Sequence, residues 1–250
     1  MNASRKLDIL KYFDVSEVLS VKELAEKLGC SESSVRRDLI ALDKQGLIKK
    51  VHGGAVRKEA DTAVEDKELS VRMALNPDAK KAVGAFAGGL VKEGDTVYLD
   101  AGTTVSFVID ALNVKDAVFV TNSHPHAERL AQKGYKVFVI GGEYKAKTGA
   151  YVGTLASKAL EQYHFDKGFF GTNGISPGSG FSTPDEREAE VKRAALLRCE
   201  KAYVLADATK FDKSAFVSFA SLSEGTVITD DAPEKYSALT EIIGTDEMTI

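Results

Sequence analysis

The chain has 250 residues, 44% of them apolar, and a formal net charge of −4, which supports one large domain or two unequal ones around a real core. No apolar run approaches the ~18–20 residues that cross a bilayer, and the N-terminus "MNASRKLDILKYF" lacks a signal-peptide pattern, so a cytoplasmic protein without a membrane partner is expected. Cys30 and Cys199, far apart, read as reduced thiols, and the four histidines form no metal-site spacing with them, so neither metal nor cofactor is expected.

Charge is uneven along the chain. Residues 1–58 hold 12 Lys/Arg and 8 Asp/Glu, or +4, which leaves −8 for the remainder. A basic head on an acidic body points to a polyanion partner for the head. The head reads as three helices and a hairpin. Helix one covers 4–13, with Leu7, Ile9 and Leu10 apolar. Helix two covers 21–28, with Val21, Leu24, Ala25 and Leu28 on one face. Ser20 and Glu23 have capping-box spacing before it, and Gly29 stops it. Helix three runs over 31–44 with Ser31 as N-cap. Val35, Leu39 and Leu42 face the core, so Ser33 and Arg37 point away from it and Arg36 lies on the flank. Serines 31, 33 and 34 (Ser31, Ser33, Ser34) with Arg36 and Arg37 give a short helix hydroxyls and guanidiniums at its start, as a major-groove reader needs. "GLIKKVHGGAVRK" then alternates apolar and polar residues around Gly53-Gly54. It reads as a basic hairpin carrying Lys49, Lys50, Arg57 and Lys58.

Helix–turn–helix plus basic hairpin is a winged helix-turn-helix. The stretch "LSVKELAEKLGCSESSVRRDLIALDKQGLIKKVHGGAV" resembles the N-terminal signature of the DeoR family of bacterial transcription regulators. The resemblance implies that Arg36, Arg37 and the wing around His52 and Gly53 meet double-stranded operator DNA. Asp38 is expected in a local ion pair or cap contact.

Residues 59–76, charged and poor in apolar groups, read as a linker that turns helical toward Arg72, so the domains are expected at 1–58 and 77–250. Beyond Pro77, strand patterns at 96–99, 117–121, 136–140, 167–171, 202–206 and 226–229 alternate with helical patterns at 104–112, 125–133, 153–162, 184–199 and 233–241. Near-continuous apolar strands alternating with helices imply a parallel sheet covered on both faces, an α/β fold. Such sheets bind ligands beyond the C-terminal ends of their strands. There the chain places Asp100, Gly102, Thr103 and Thr104, then Asn122, then Gly141 and Gly142, then Asn173, and then Lys210. The "DAGTT" turn offers backbone N–H groups and two hydroxyls to an anion.

This body is similar to the DeoR-type sensor domain, itself similar to ribose-5-phosphate isomerases, through "GDTVYLDAGTT", "TNS", "GGEY", "GTNGIS", "GFSTPDEREAEVKRA" and "DATKF". The resemblance implies a phosphorylated sugar effector, with its phosphate at Gly102, Thr103, Thr104 and Lys210. Asp100, Asn122, Asn173, Asp185, Glu188 and Lys192 are implied for the sugar hydroxyls and pocket wall. Isomerisation needs a general base, and "GTNGIS" has no carboxylate where the isomerases carry an acidic word. A sensor is therefore expected, a repressor of a sugar-utilisation operon acting as homodimer or homotetramer. The alternative is an active sugar-phosphate isomerase with an accessory DNA-binding head.

Overall fold

A computed structural model describes residues 9, 12, 18–44, 48–51, 53–57 and 69–247. The chain divides into two compact units, Met1–Thr62 and Ala63–Ile250.

In the smaller unit, strand β1 (Val18–Ser20) leads into helix α1 (Val21–Leu28). The Ser20 hydroxyl accepts from the Glu23 N–H and the Glu23 carboxylate accepts from the Ser20 N–H, a reciprocal capping box. Gly29 ends α1 at φ 59°, a left-handed turn that costs glycine little. Helix α2 (Glu32–Lys44) and the antiparallel strands β2 (Ile48–Val51) and β3 (Gly54–Arg57) follow. The sequence did not disclose β1, which pairs with β3 to make a three-stranded sheet. Leu19, Leu24, Val35, Leu39, Leu42, Ile48 and Ala55 form the core, joined by Ile9. Most of helix one as read lies outside the described residues.

The larger unit begins with the short helix α3 (Leu69–Ala74) and helix α4 (Pro77–Gly89). Its frame is a seven-stranded sheet of β4 (Thr96–Leu99), β5 (Val118–Thr121), β6 (Lys136–Val139), β9 (Phe165–Gly171), β12 (Cys199–Ala206), β14 (Thr226–Thr229) and β15 (Ile242–Gly244). Their order is β15-β14-β12-β9-β4-β5-β6 and every pairing is parallel. Alternate residues serve opposite cores. Tyr98 packs with Ala156, Leu160, Val191 and Ala195 of α7 (Thr154–Leu160) and α8 (Glu186–Leu196). Val97 and Leu99 pack with Val83, Ala87, Val105 and Val108 of α4 and α5 (Thr103–Ala111). Helix α6 (His124–Gln132) follows β5, and its Leu130 joins this second core.

Helices α4 and α5 touch at backbone distance. A Cβ on Gly84 would strike Phe107, and one on Gly88 would strike Ala111. Equal steps of four on both helices mean that they run parallel.

Two smaller sheets lie outside the sequence reading: the hairpin β7 (Glu143–Lys145)/β8 (Ala150–Val152), and the antiparallel set β10 (Gly174–Ser176), β11 (Gly180–Thr183) and β13 (Val217–Ala220). The helix expected over 233–241 is a single 3-10 turn, Glu234–Tyr236, followed by edge strand β15. Tyr236 is fully buried, and its hydroxyl donates to Ile175 O and accepts from Asp212 N. This ring is pinned into the core, and the chain continues as a turn, with Leu239 and Thr240 N–H donating to Tyr236 O, rather than as a regular helix.

Candidate functional site

On the smaller unit, α2 turns Val35 and Leu39 fully inward, leaving Arg36 and Arg37 exposed. Arg36 pairs with Glu32 one turn earlier at 3.0 Å, an exposed contact of little energetic weight. Arg37 Nε donates to Ser33 O at 3.3 Å. The Ser31 hydroxyl lies 3.0 Å from those of Ser33 and Ser34, so the three serines crowd the helix start. Lys50 and Gly53 are exposed on the hairpin, and both line one groove with Arg36. Asp38 is buried and faces away from that surface. His52 and the Lys49 side chain lie outside the described residues.

On the larger unit, the strand ends converge. The N-cap of α5 is Gly102, and Cα of Gly171 stands 3.1 Å from where a Gly102 Cβ would lie, so two glycines let the ends of β4 and β9 meet. Asp100, Gly102, Asn122, Asn173, Glu188 and Lys192 all line one pocket, together with Arg72, Ala101 and Ala150. Lys192 Nζ is paired with Asp100 Oδ2 and donates to Gly171 O at 2.9 Å. Asn122 accepts from the Tyr98 hydroxyl at 3.0 Å and donates to Tyr151 O at 3.0 Å, which fixes its amide. Glu188 accepts from Lys145 (3.1 Å), Thr148 (3.0 Å) and Thr183 (3.3 Å). Asp185 caps α8 and binds Lys145 at 2.9 Å. Burial opposes its ionisation, but the Arg187 and Lys145 hydrogen bonds prevail and hold the carboxyl well below the usual range. Beside Asp100, His126 is buried with Nδ1 unpartnered, and burial pushes its imidazole down to about 4, so it is neutral.

Thr103 and Thr104 are buried in the first turn of α5. The structure also buries a residue the sequence reading passed over. Lys80 is 3% exposed, on the same helical stripe as Val83, Gly84 and Ala87. A lysine on an apolar stripe was the available signal. Burial first, and then repulsion from Lys210, bring its ammonium down to about 8, with Asp207 partly offsetting both. Lys210 sits in the 3-10 turn Ala208–Lys210 behind β12. Asp207 Oδ1 accepts from Asn76 (3.1 Å) and the Thr209 N–H (3.0 Å), whereas its buried Oδ2 has no partner. Arg72 is the other residue missed, since nothing in its local pattern ties it to a strand end. Gly141 and Gly142 do not line this pocket: a Cβ on Gly142 would press on Val152 O at 2.8 Å, so its glycine serves packing against β8.

Comparison with known proteins was decisive. The DeoR-like helix-turn-helix domain matches residues 5–61 and the DeoR C terminal sensor domain matches residues 75–231. The chain belongs to the DeoR family. It is 40% identical over 227 residues, covering 90% of each chain, to the "Uncharacterized HTH-type transcriptional regulator FruR" of Bacillus subtilis. It is 33% identical to the "Lactose phosphotransferase system repressor" of Streptococcus mutans, covering 94% of this chain and 96% of that one. Among solved structures, ribose 5-phosphate isomerase A from Methanocaldococcus jannaschii overlaps 55% of this chain and 56% of its own at 17% identity, with a TM-score of 0.40. This DeoR-family protein is a transcription regulator and not an enzyme, and nothing supports the isomerase alternative. No helix among the described residues is long and apolar enough to cross a membrane.

Proposed function

We propose that this regulator represses a sugar-utilisation operon in the cytoplasm and responds to a phosphorylated sugar bound at the strand ends of its larger unit. The observation that carries the effector reading is the buried Lys80, on the helix that packs against α5 and close enough to Lys210 for the two ammoniums to repel. A phosphate dianion placed there would relieve that repulsion and accept from the N–H groups and hydroxyls of Thr103 and Thr104. Gly102 keeps the approach open. Asn122, Asn173, Glu188 and Lys192 would take the sugar hydroxyls, and Asp185 and Asp100 hold the lysines around them. The names of the relatives, one of them a lactose phosphotransferase system repressor, support a sugar-linked signal.

For the smaller unit, α2 would enter the major groove with Arg36 and Arg37, with Lys49, Lys50, His52 and Gly53 on the backbone. A helix this short reads few base pairs, so paired half-sites on a homodimer or homotetramer would supply affinity and specificity.

The test is calorimetric titration of the full chain with fructose 1-phosphate, fructose 6-phosphate, ribose 5-phosphate and the matching free sugars, alongside operator mobility shifts. One sugar phosphate should bind and alter the shift while its free sugar does neither. Equal binding of the free sugar would overturn the phosphate assignment.

A further inference from the structure

The pocket at the strand ends has a volume of about 10 Å³. That is room for one water molecule, whereas small-molecule sites are on the order of 300 Å³ or more. A sugar phosphate at these strand ends needs more room than that, so part of the wall must move. Arg72, from α3, is the one member of the wall that comes from before α4.

The bonds that seat α3 are also specific. Lys80 Nζ donates to the carbonyl of Arg72. Asn76, just beyond α3, donates to Asp207 Oδ1 at 3.1 Å and to Thr209 Oγ1 at 3.4 Å. Further along, the Ser106 hydroxyl of α5 reaches Met73 Sδ at 3.7 Å, and the Leu69 N–H donates to Lys147 O at 3.1 Å. Lys80 and Asp207 are thus spent on α3. They are also a buried cation on the helix packed against α5 and a buried carboxylate with one oxygen unpartnered.

We propose that α3 with Asn76 is an internal plug that competes with the effector for Lys80 and Asp207. This rests on the effector reading above. The incoming phosphate takes Lys80 from the Arg72 carbonyl, and a sugar hydroxyl replaces the Asn76 amide on Asp207 Oδ1. With those two anchors lost, the Met73 contact and the Leu69 bond give way, and residues 69–76 leave the pocket. The plug starts six residues after Ala63, where the larger unit begins. Its release therefore acts on the stretch of chain that leads to the DNA-binding unit, which gives occupancy of the pocket a covalent route to the head.

Asn76 separates the possibilities. It holds a left-handed backbone, φ 48°, so Asn76→Gly removes its side-chain bonds without straining the turn, and Asn76→Ala removes the same bonds with strain added. With the Asn76 side chain's bonds to Asp207 and Thr209 gone, both full-length variants should bind the sugar phosphate that stabilises wild type about 3- to 10-fold more tightly. Hydrogen exchange at residues 69–76 should rise when that sugar phosphate is added to wild type, and should already be raised in the variants without it. If a sugar phosphate raises the melting temperature of all three proteins but affinities match and residues 69–76 become more protected, the plug is wrong and the effector reading stands. If none of fructose 1-phosphate, fructose 6-phosphate or ribose 5-phosphate stabilises any of the three, the effector reading falls and takes the plug with it.

Discussion

Lys192 and Asp100 form a buried ion pair under the pocket, and Gly171 completes it from both sides. Its carbonyl accepts from Lys192 at 2.9 Å and its N–H donates to Asp100 Oδ2 at 2.9 Å. The arrangement ties α8 to the ends of β4 and β9. Removing one partner strands a charge. Lys192→Met should therefore lower the unfolding free energy of the larger unit by about 3–5 kcal/mol. Adding Asp100→Asn to that variant should recover part of the loss. Denaturant melts of the full chain read both, and a single variant within 1 kcal/mol of wild type would show that the pair is not structural.

Lys80 makes stability and binding depend on pH in opposite senses. Its ammonium titrates at about 8 in the folded chain, against 10.5 ordinarily. Between those values the folded chain holds fewer protons than the unfolded one, so this group's contribution to stability rises with pH across that window and its penalty is fully present below about 8. A phosphate needs the charged form. Effector affinity should thus fall as pH climbs through about 8, and Lys80→Gln should bind weakly with little pH dependence. Titrations from pH 7 to 9 decide this, and a wild-type affinity flat across that range would take Lys80 out of the phosphate site.

On the DNA side, Arg37→Ala should cost roughly 1–3 kcal/mol of specific operator affinity with no change in folding, because Arg37 is exposed while Val35, Leu39 and Leu42 face the core. Neutralising Lys50 should act differently, flattening the log-affinity against log-salt slope by about 0.9. Mobility shifts over a salt series separate the two. A changed base preference in Lys50→Gln with an unchanged slope would contradict a phosphate contact.

What the sequence disclosed follows from which signals are local. The capping box at Ser20 and Glu23 and the apolar strands β4, β5 and β12 are written in contiguous residues, and each appears where its pattern lies. Strand β1 has no such signature, because three residues gain strand geometry only by pairing with β3. The stretch 233–241 has helical spacing, yet Tyr236 is drawn into contact with Phe211 at a ring distance of 4.8 Å, a tertiary contact that overrides propensity. The same distinction holds at the site. Asp100, Asn122 and Asn173 follow strand ends and were placed by that rule. Arg72 reaches the pocket only through the seating of α3, which no spacing announces, and the signal for Lys80 was a lysine on the apolar stripe of α4.

Thr103 offers the sharpest test of the "DAGTT" turn. It is 5% exposed at the start of α5, so a larger acidic side chain there has nowhere to go except the space before the helix N-terminus. A carboxylate in that position would occupy the phosphate's place and repel the dianion, while its own charge suits the helix start. Thr103→Glu should therefore remain folded, lose measurable binding of the sugar phosphate, and retain operator affinity, since the DNA-binding residues lie in a separate compact unit. Operator shifts with and without sugar phosphate, together with calorimetry on the same preparation, measure each consequence. A Thr103→Glu protein that still binds the sugar phosphate and still responds to it on DNA would place the phosphate elsewhere in the fold.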